Sequence, residues 1–487
     1  MTPEEFRRAG HELIDWIADQ RTAVPGRPVL AQVAPGDVRA GFETAAPTEP
    51  TDLDTVLARL DEVVVPGITQ VQHPMHFGWF PSNASLASVL GDIASSGLGT
   101  LGISWESCPA LTEVEEVVCE WMAELCGLTP DDAGRPWSGA IHDTASTACL
   151  ASLLVAREQA SAMSQHTTGL AGAGGPFVVY TTDQAHSSVA KAALLAGFGW
   201  DQVRAVPTDP WTRAMRPDAL AEQLAADLAA GAIPAAVVAT IGTTGTTAVD
   251  PVAEIVAVVR AADTPAPVWV HVDAAMAGSA MMLPECAELF AGVAGADAIA
   301  WNPHKWMGTI LDTALLYVRD VELMERVMAT DPSYLRSSAD GAVTQLRNRG
   351  VPLGRRFRAL KLWFHLELDG VEAIRERLRR DLANASWFEA QVVAADDWEL
   401  VAPRSMQTVC LRHRPTDPAT GQPLEGDALD AHTLAWVDRL NRSGAAYCTP
   451  SLLDGRWMVR VSIGVEATER THVEALWALL QDHAAGV

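Results

Sequence analysis

The chain has 487 residues, enough for roughly three domain-sized units. Hydrophobic residues at 48% and charged residues at 20% exclude a disordered or collagen-like chain. A formal charge of -26, from 61 Asp+Glu against 35 Lys+Arg, argues against nucleic acid and against an anionic membrane surface as partners.

Thr2-Pro3-Glu4-Glu5 reads as an N-cap, a first-turn proline and a capping-box glutamate ahead of Phe6, Leu13, Ile14 and Ile17 on one helical face. A Pro/Gly-rich stretch from Val24 to Gly36 follows, then a helix expected from Leu53 to Val64. Residues 1–84 thus form an N-terminal helical arm without its own core, expected to pack on a second subunit. From Ser85 to Arg319, apolar runs at Phe177–Tyr180, Ala236–Ala239, Val268–Val272 and Ala314–Val318 alternate with helical stretches such as Ala145–Gln159 and Ala219–Ala230. The alternation predicts an α/β fold with a central, mainly parallel sheet flanked by helices in a large domain, 85–370, with ligands at the carboxyl ends of the strands. Ala329 to Leu353 lacks a sustained period and reads as a long functional loop. Helices are expected over Arg358–Leu368 and Val371–Val393, and residues 371–487 read as a small C-terminal α/β domain.

No apolar run reaches the ~18 residues of a membrane span, and the acidic N-terminus has no signal-peptide pattern. Seven scattered cysteines without a C-x-x-C pair fit reduced thiols, so a cytoplasmic protein without membrane attachment is expected.

The chain has three lysines, Lys191, Lys305 and Lys361. Lys305, in Asn302-Pro303-His304-Lys305-Trp306 after an apolar run, is a candidate Schiff-base former, because a partly desolvated amine deprotonates and attacks carbonyls; the alternative is a snorkelling surface lysine. Asp273, ending the strand of His271-Val272-Asp273, could hold a pyridine nitrogen protonated and make pyridoxal phosphate (PLP) an electron sink. Its alternatives are a helix N-cap or a metal set with His271 and His304, a set whose spacing fits no strong motif. Asp143-Thr144-Ala145-Ser146-Thr147 opens an apolar helix and offers free N–H groups to a phosphate, or is merely a cap. His186, in Asp183 to Ser188 beyond the Phe177 strand, belongs at the strand-end rim, where an imidazole could lie on a cofactor ring and handle protons, or be a structural histidine.

Together these segments resemble the group II PLP-dependent decarboxylases, specifically the aromatic L-amino acid decarboxylase family. The resemblance also takes in Glu5 to Gly10, His73-Pro74 to Phe80-Pro81, Gly102-Ile103-Ser104-Trp105, Ile241-Gly242-Thr243-Thr244, His271 to Gly278 and Pro352 to Phe357. It implies the type I fold of PLP-dependent transferases, aspartate aminotransferase-like, and a homodimer with shared active sites. By position, Lys305 is the Schiff-base lysine, Asp273 the pyridinium partner and His186 the ring-stacking residue. Thr144, Ala145, Ser146, Asn302 and His304 fall around the phosphate, and Thr244 and Ala275 near the ring; no metal is implied. Where the family commonly has Gly-Ser-Ala-Ser, this chain has Asp143 to Ser146, so Thr144 is expected to supply the first hydroxyl and Asp143 stands beside a dianion.

The family's mobile catalytic loop, about 329–353 here, carries a tyrosine that protonates Cα after CO2 departs, and Asp331-Pro332-Ser333-Tyr334-Leu335 makes Tyr334 that acid. Members that form aldehydes replace this tyrosine by phenylalanine or the stacking histidine by asparagine; both are retained here. The resemblance implies Val71, Trp79, Phe80, Pro81, Leu101, Ile103 and Leu353 as the side-chain pocket, with the 101–103 strip and Leu353 donated by the neighbouring subunit. An apolar aromatic wall suits an aromatic amino acid, whether tryptophan, 5-hydroxytryptophan, DOPA, tyrosine or phenylalanine. The rival readings are an aromatic aldehyde synthase, a decarboxylase of another amino acid, and a non-catalytic PLP-binding homologue. The basic cluster Arg347, Arg349, Arg355, Arg356 and Arg358 is expected to be salt-bridged, stabilising the loop base or the dimer.

Overall fold

Seven short strands pair into one sheet in the computed structural model, which describes all residues except 132, 171–174, 331–338, 340, 418–419 and 486–487. They are β1 (Ser138–His142), β2 (Phe177–Thr181), β3 (Val203–Ala205), β4 (Ile233–Thr240), β5 (Trp269–Asp273), β6 (Ala298–Trp301) and β7 (Ala314–Val318), in the order β1-β7-β6-β5-β4-β2-β3. The pairings among β2 to β6 are parallel, whereas β7 runs against both β6 and β1. The carboxyl ends of β1, β2, β4, β5 and β6 therefore share one edge, with β5 central. Strands β2 and β5 are buried along their whole length, which is why they read as continuous apolar runs rather than alternating ones.

Helix Ala145–Ala160 lies against this sheet; its buried Ala148, Ala151, Ala156 and Ala160 permit the close approach. Trp269 of β5 donates its indole N–H to Ser152 of that helix at 2.9 Å. Elsewhere helix Leu86–Gly97 packs on helix Ala359–Asp369 so tightly that a Cβ at Gly91 would clash with the Leu360 carbonyl and lie 2.9 Å from Lys361 Cα. Because backbone must yield, Gly91→Ala is expected to cost about 1–3 kcal/mol, seen as a lowered thermal midpoint; an unchanged midpoint would show the helices can separate freely.

This sheet and its helices form one compact unit, Ser82–Leu382 with Ala402–Thr408; the other is Met1–Pro81 with Ala383–Val401 and Val409–Val487. In the second unit β8 (Trp398–Leu400) pairs antiparallel with β9 (Thr408–His413), and β10 (Thr449–Leu453) with β11 (Arg456–Ser462). Its core gathers Phe77, Phe388, Trp436, Val459 and Leu476. The division differs from the boundaries read at 84 and 370. Phe77 is wholly buried in that core, Phe77 N–H donates to Tyr447 O at 2.8 Å and Gln70 N–H to Val29 O at 2.8 Å, so residues 1–81 share the C-terminal unit. The first helix, Pro3–Ala23, has the capping box of Thr2 and Glu5, and none of its residues is buried.

Candidate active site

After β6 the chain passes through Asn302 into a single helical turn, Pro303–Met307, in which Lys305 takes φ −100° and ψ −113°, away from helical values. The turn is fastened on several sides. Asn302 N–H donates to Ala275 O at 3.0 Å, Thr313 N–H to His304 Nδ1 at 3.0 Å, and the buried Trp306 indole to Asp381 Oδ2 at 2.9 Å. Lys305 is half-buried. Neither of the other lysines is placed to form a Schiff base in this crevice. Lys361 is buried with its ammonium on Asp312 at 3.1 Å and Leu311 O at 3.2 Å, and Lys191 is exposed on helix Ser187–Leu195.

Asp273 is the last residue of β5, paired in register with Thr240 on one side and Ala300 on the other. One carboxylate oxygen accepts the Ala275 N–H at 3.0 Å; no bond to the other is found among the described residues. His186 caps helix Ser187–Leu195, its Nδ1 accepting the Ser188 N–H at 3.2 Å, which leaves the proton of the neutral ring on Nε2. Burial pulls its pKa down, the Lys305 charge adds to that and Asp273 opposes it, so the three groups share one electrostatic site. His304 is neutral for the same reason: burial, then Lys305, bring its pKa to about 4. Thr244 is half-buried in the turn after β4, which Gly242 permits with φ +86° and a close approach to Ala277; Ala275 is half-buried just beyond β5.

At the end of β1, Thr144 caps helix Ala145–Ala160. Asp143 Oδ1 accepts the Thr144 N–H at 2.7 Å and the Thr147 hydroxyl, so this carboxylate is drawn onto the helix start. Thr144, expected to give an anion its first hydroxyl, accepts the Thr147 N–H through that oxygen at 3.5 Å. Ala145 and Ser146 keep N–H groups without an acceptor among the described residues, a donor pair at a helix N-terminus that suits a phosphate. Buried polar atoms without partners collect at the same strand ends: His142 Nε2, Thr182 Oγ1, Thr240 Oγ1 and Asn302 Oδ1. Such atoms are rare in folded proteins, and their gathering here fits a polar group such as PLP. Tyr334 lies outside the described residues.

Of the expected pocket residues, Leu101, Ile103 and Leu353 belong to the sheet unit. Gly102 pairs with Arg355 through both backbone groups, at 3.1 and 3.0 Å, which brings Leu101 and Leu353 onto one exposed strip. Val71, Trp79, Phe80 and Pro81 belong to the other unit. There Trp79, at φ +47°, donates its N–H to Thr449 Oγ1 at 2.7 Å, and Arg460 covers the Phe80 ring at 4.8 Å. Among the described residues no three His, Cys, Asp or Glu side chains form a metal-ligating group, so His271, Asp273 and His304 are not such a set.

The arginine cluster is matched by acidic partners: Arg349 with Glu325, Arg355 with Glu115, Arg356 with Asp92 and Arg358 with Asp312. Arg347 instead reaches Gln345 and Ile103 O. Sequence reasoning missed Glu115 and Asp381 because their partners lie far away along the chain, and missed His271 except as a metal ligand. That ring is fully buried on β5 with neither nitrogen bonded, and burial brings its pKa to about 4, Asp273 opposing. An unfolded histidine titrates near 6.5, so as pH falls from there toward 4 the unfolded state binds the additional proton and stability is lost. At about 1.4 kcal/mol per unit, this ring withdraws about 3 kcal/mol by pH 4. The thermal midpoint of a His271→Asn variant is therefore expected to fall less steeply with acidification than that of the parent protein; parallel profiles would contradict it.

A family model described as the pyridoxal-dependent decarboxylase conserved domain matches residues 35–414. Tryptophan decarboxylase 2 of Oryza sativa subsp. japonica is 36% identical across 100% of this chain and 96% of its own length. Phenylacetaldehyde synthase of Arabidopsis thaliana is 36% identical across 100% and 97%. The crystal structure of Oryza sativa TDC with PLP and tryptamine superposes with a TM-score of 0.94, at 36% identity, covering 100% of this chain and 99% of that one.

Proposed function

The chain belongs to the pyridoxal-dependent decarboxylase family, with the type I fold, and is a PLP-dependent carboxy-lyase of aromatic L-amino acids; from that premise we propose how its own residues divide the work. The observation that supports the assignment is that Lys305, Asp273 and His186 act on one another at the strand-end edge where the unpartnered N–H groups of Ala145 and Ser146 also lie.

When bound, the cofactor supplies an electron sink for the pair left as the substrate carboxylate departs as CO2. Ala145 and Ser146 bind its phosphate with backbone donors at the positive end of a helix, supported by Thr144, Asn302 and His304. Lys305 provides the amine that holds it covalently. The Asp273 carboxylate keeps a proton on the ring nitrogen, and Ala275 N–H fixes its orientation. His186, a neutral imidazole because burial and the Lys305 charge lower its pKa, would contact the cofactor ring, with Thr244 and Ala275 also assigned to hold it. Tyr334 returns a proton to Cα, which completes the arylalkylamine. Leu101, Ile103 and Leu353, on the sheet unit, are assigned to contact the substrate's side chain. Borohydride reduction of the PLP-loaded protein followed by peptide mapping tests the core of this reading: the adduct is expected on Lys305, and an adduct on Lys191 or Lys361 would overturn it.

A homodimer is the proposed assembly, with Leu101 and Leu353 lent to the neighbouring active site. Leu86, Leu90 and Ile93 form an exposed stripe at helical spacing on Leu86–Gly97, joined by exposed Leu98, Leu101, Val351 and Leu353. A contiguous apolar surface of this kind marks an association site. Light scattering is expected to give twice the chain mass, and Leu90→Glu with Ile93→Glu to reduce it to one chain. No helix among the described residues is long and apolar enough to cross a membrane, and all seven cysteines are free; both support the cytoplasm as its compartment.

A further inference from the structure

β1 is an edge strand: among the described residues its only sheet neighbour is β7. An open edge leaves backbone N–H and C=O groups in need of partners, and here the need falls at Ile141, one residue before the crevice end of the strand. Glu115, on helix Pro109–Leu125, accepts the Ile141 N–H at 2.8 Å. Arg355 donates to the Ile141 carbonyl at 2.9 Å and pairs with the same Glu115 oxygen. Both side chains are almost completely buried, at 1% and 4% exposure, and Arg355 is itself held by the two backbone bonds to Gly102. A carboxylate and a guanidinium thus stand where a neighbouring strand would.

We propose that Glu115 and Arg355 are a positioning pair for the phosphate turn: by fixing both backbone groups of Ile141 they set the direction of the chain through His142–Thr144 and so the aim of the Ala145 and Ser146 N–H groups. The inference rests on the proposed role of that turn. Neither side chain is among those assigned to hold the cofactor. A buried ion pair is poor at raising stability, since apolar residues of similar volume commonly serve as well; its use at this point is the geometry it imposes on β1.

The test separates affinity from stability in the full-length protein. PLP dissociation constants and apo-protein thermal midpoints are measured for the parent, Glu115→Gln, Arg355→Lys and the double variant Glu115→Met with Arg355→Met. The double variant leaves no charge buried alone but strips the Ile141 N–H and C=O of their partners, so it is expected to melt modestly below the parent while binding PLP about 10–100-fold more weakly, the scale of outer partners of a bound group. Arg355→Lys carries the same expectation if the double variant does not fold: one Arg355 nitrogen donates to both Glu115 and the Ile141 carbonyl, and the lysine side chain, one bond shorter, leaves its ammonium short of that position. Glu115→Gln keeps an acceptor for the Ile141 N–H and is expected to retain affinity within about threefold, under 1 kcal/mol. Parent-like PLP affinity in the double variant or in Arg355→Lys overturns the proposal, as does affinity that falls only in step with the melting temperature. A parent protein that binds no PLP brings down the reading of the turn itself, and this inference with it.

Discussion

Lys305→Ala is expected to leave a folded protein that has lost the visible band of the lysine-bound cofactor and forms amine at least about 10³-fold more slowly, the scale on which removal of a covalent nucleophile acts. The fold survives because the turn is held by groups other than the lysine amine: Asn302 N–H on Ala275 O, His304 on Thr313 N–H and the Trp306 indole on Asp381. PLP itself is expected still to bind, held by the proposed phosphate turn and Asp273. No other lysine replaces the lost amine, since Lys361 is committed to Asp312 and Leu311 and Lys191 stands exposed on its helix. Spectra and single-turnover product analysis check this together, and retained amine formation would remove Lys305 from the mechanism.

Tyr334→Phe is expected to lower amine formation by about 10²–10⁴, the contribution of a positioned general acid, while CO2 release continues. With Cα left unprotonated, reaction with O2 and water gives aldehyde, ammonia and hydrogen peroxide in place of amine. Peroxide and aldehyde assays after incubation with an aromatic amino acid read it out; an unchanged amine yield would show that another group delivers the proton.

The chemistry-bearing strands were legible because burial on both faces writes itself as an apolar run. β2, β4, β5 and β7 were expected where they stand, and Asp273 at a strand end followed from the same pattern. β1 was not found: Ser138-Gly139-Ala140-Ile141-His142 has a single β-branched residue, and the strand is specified by its pairing with β7 and by Glu115 and Arg355. The reversed direction of β7 was also invisible, because a buried strand has the same composition either way; the connection from Trp301 to Ala314 holds one helical turn rather than a crossover helix, and so returns the chain antiparallel. The arm was read as lacking a core of its own because Phe77 completes a core whose other members lie more than 300 residues later. At the site, the scarcity of lysine singled out Lys305, whereas Glu115 and Asp381 had no local signal and became meaningful only through partners in space.

Mass-spectrometric product analysis of the PLP-loaded protein tests the central claim most directly, with tryptophan, 5-hydroxytryptophan, DOPA, tyrosine, phenylalanine, histidine and glutamate offered separately. The corresponding arylalkylamine and CO2 are expected from aromatic substrates, and no amine from glutamate. Aldehyde with peroxide as the main products, or amine from glutamate alone, would contradict it.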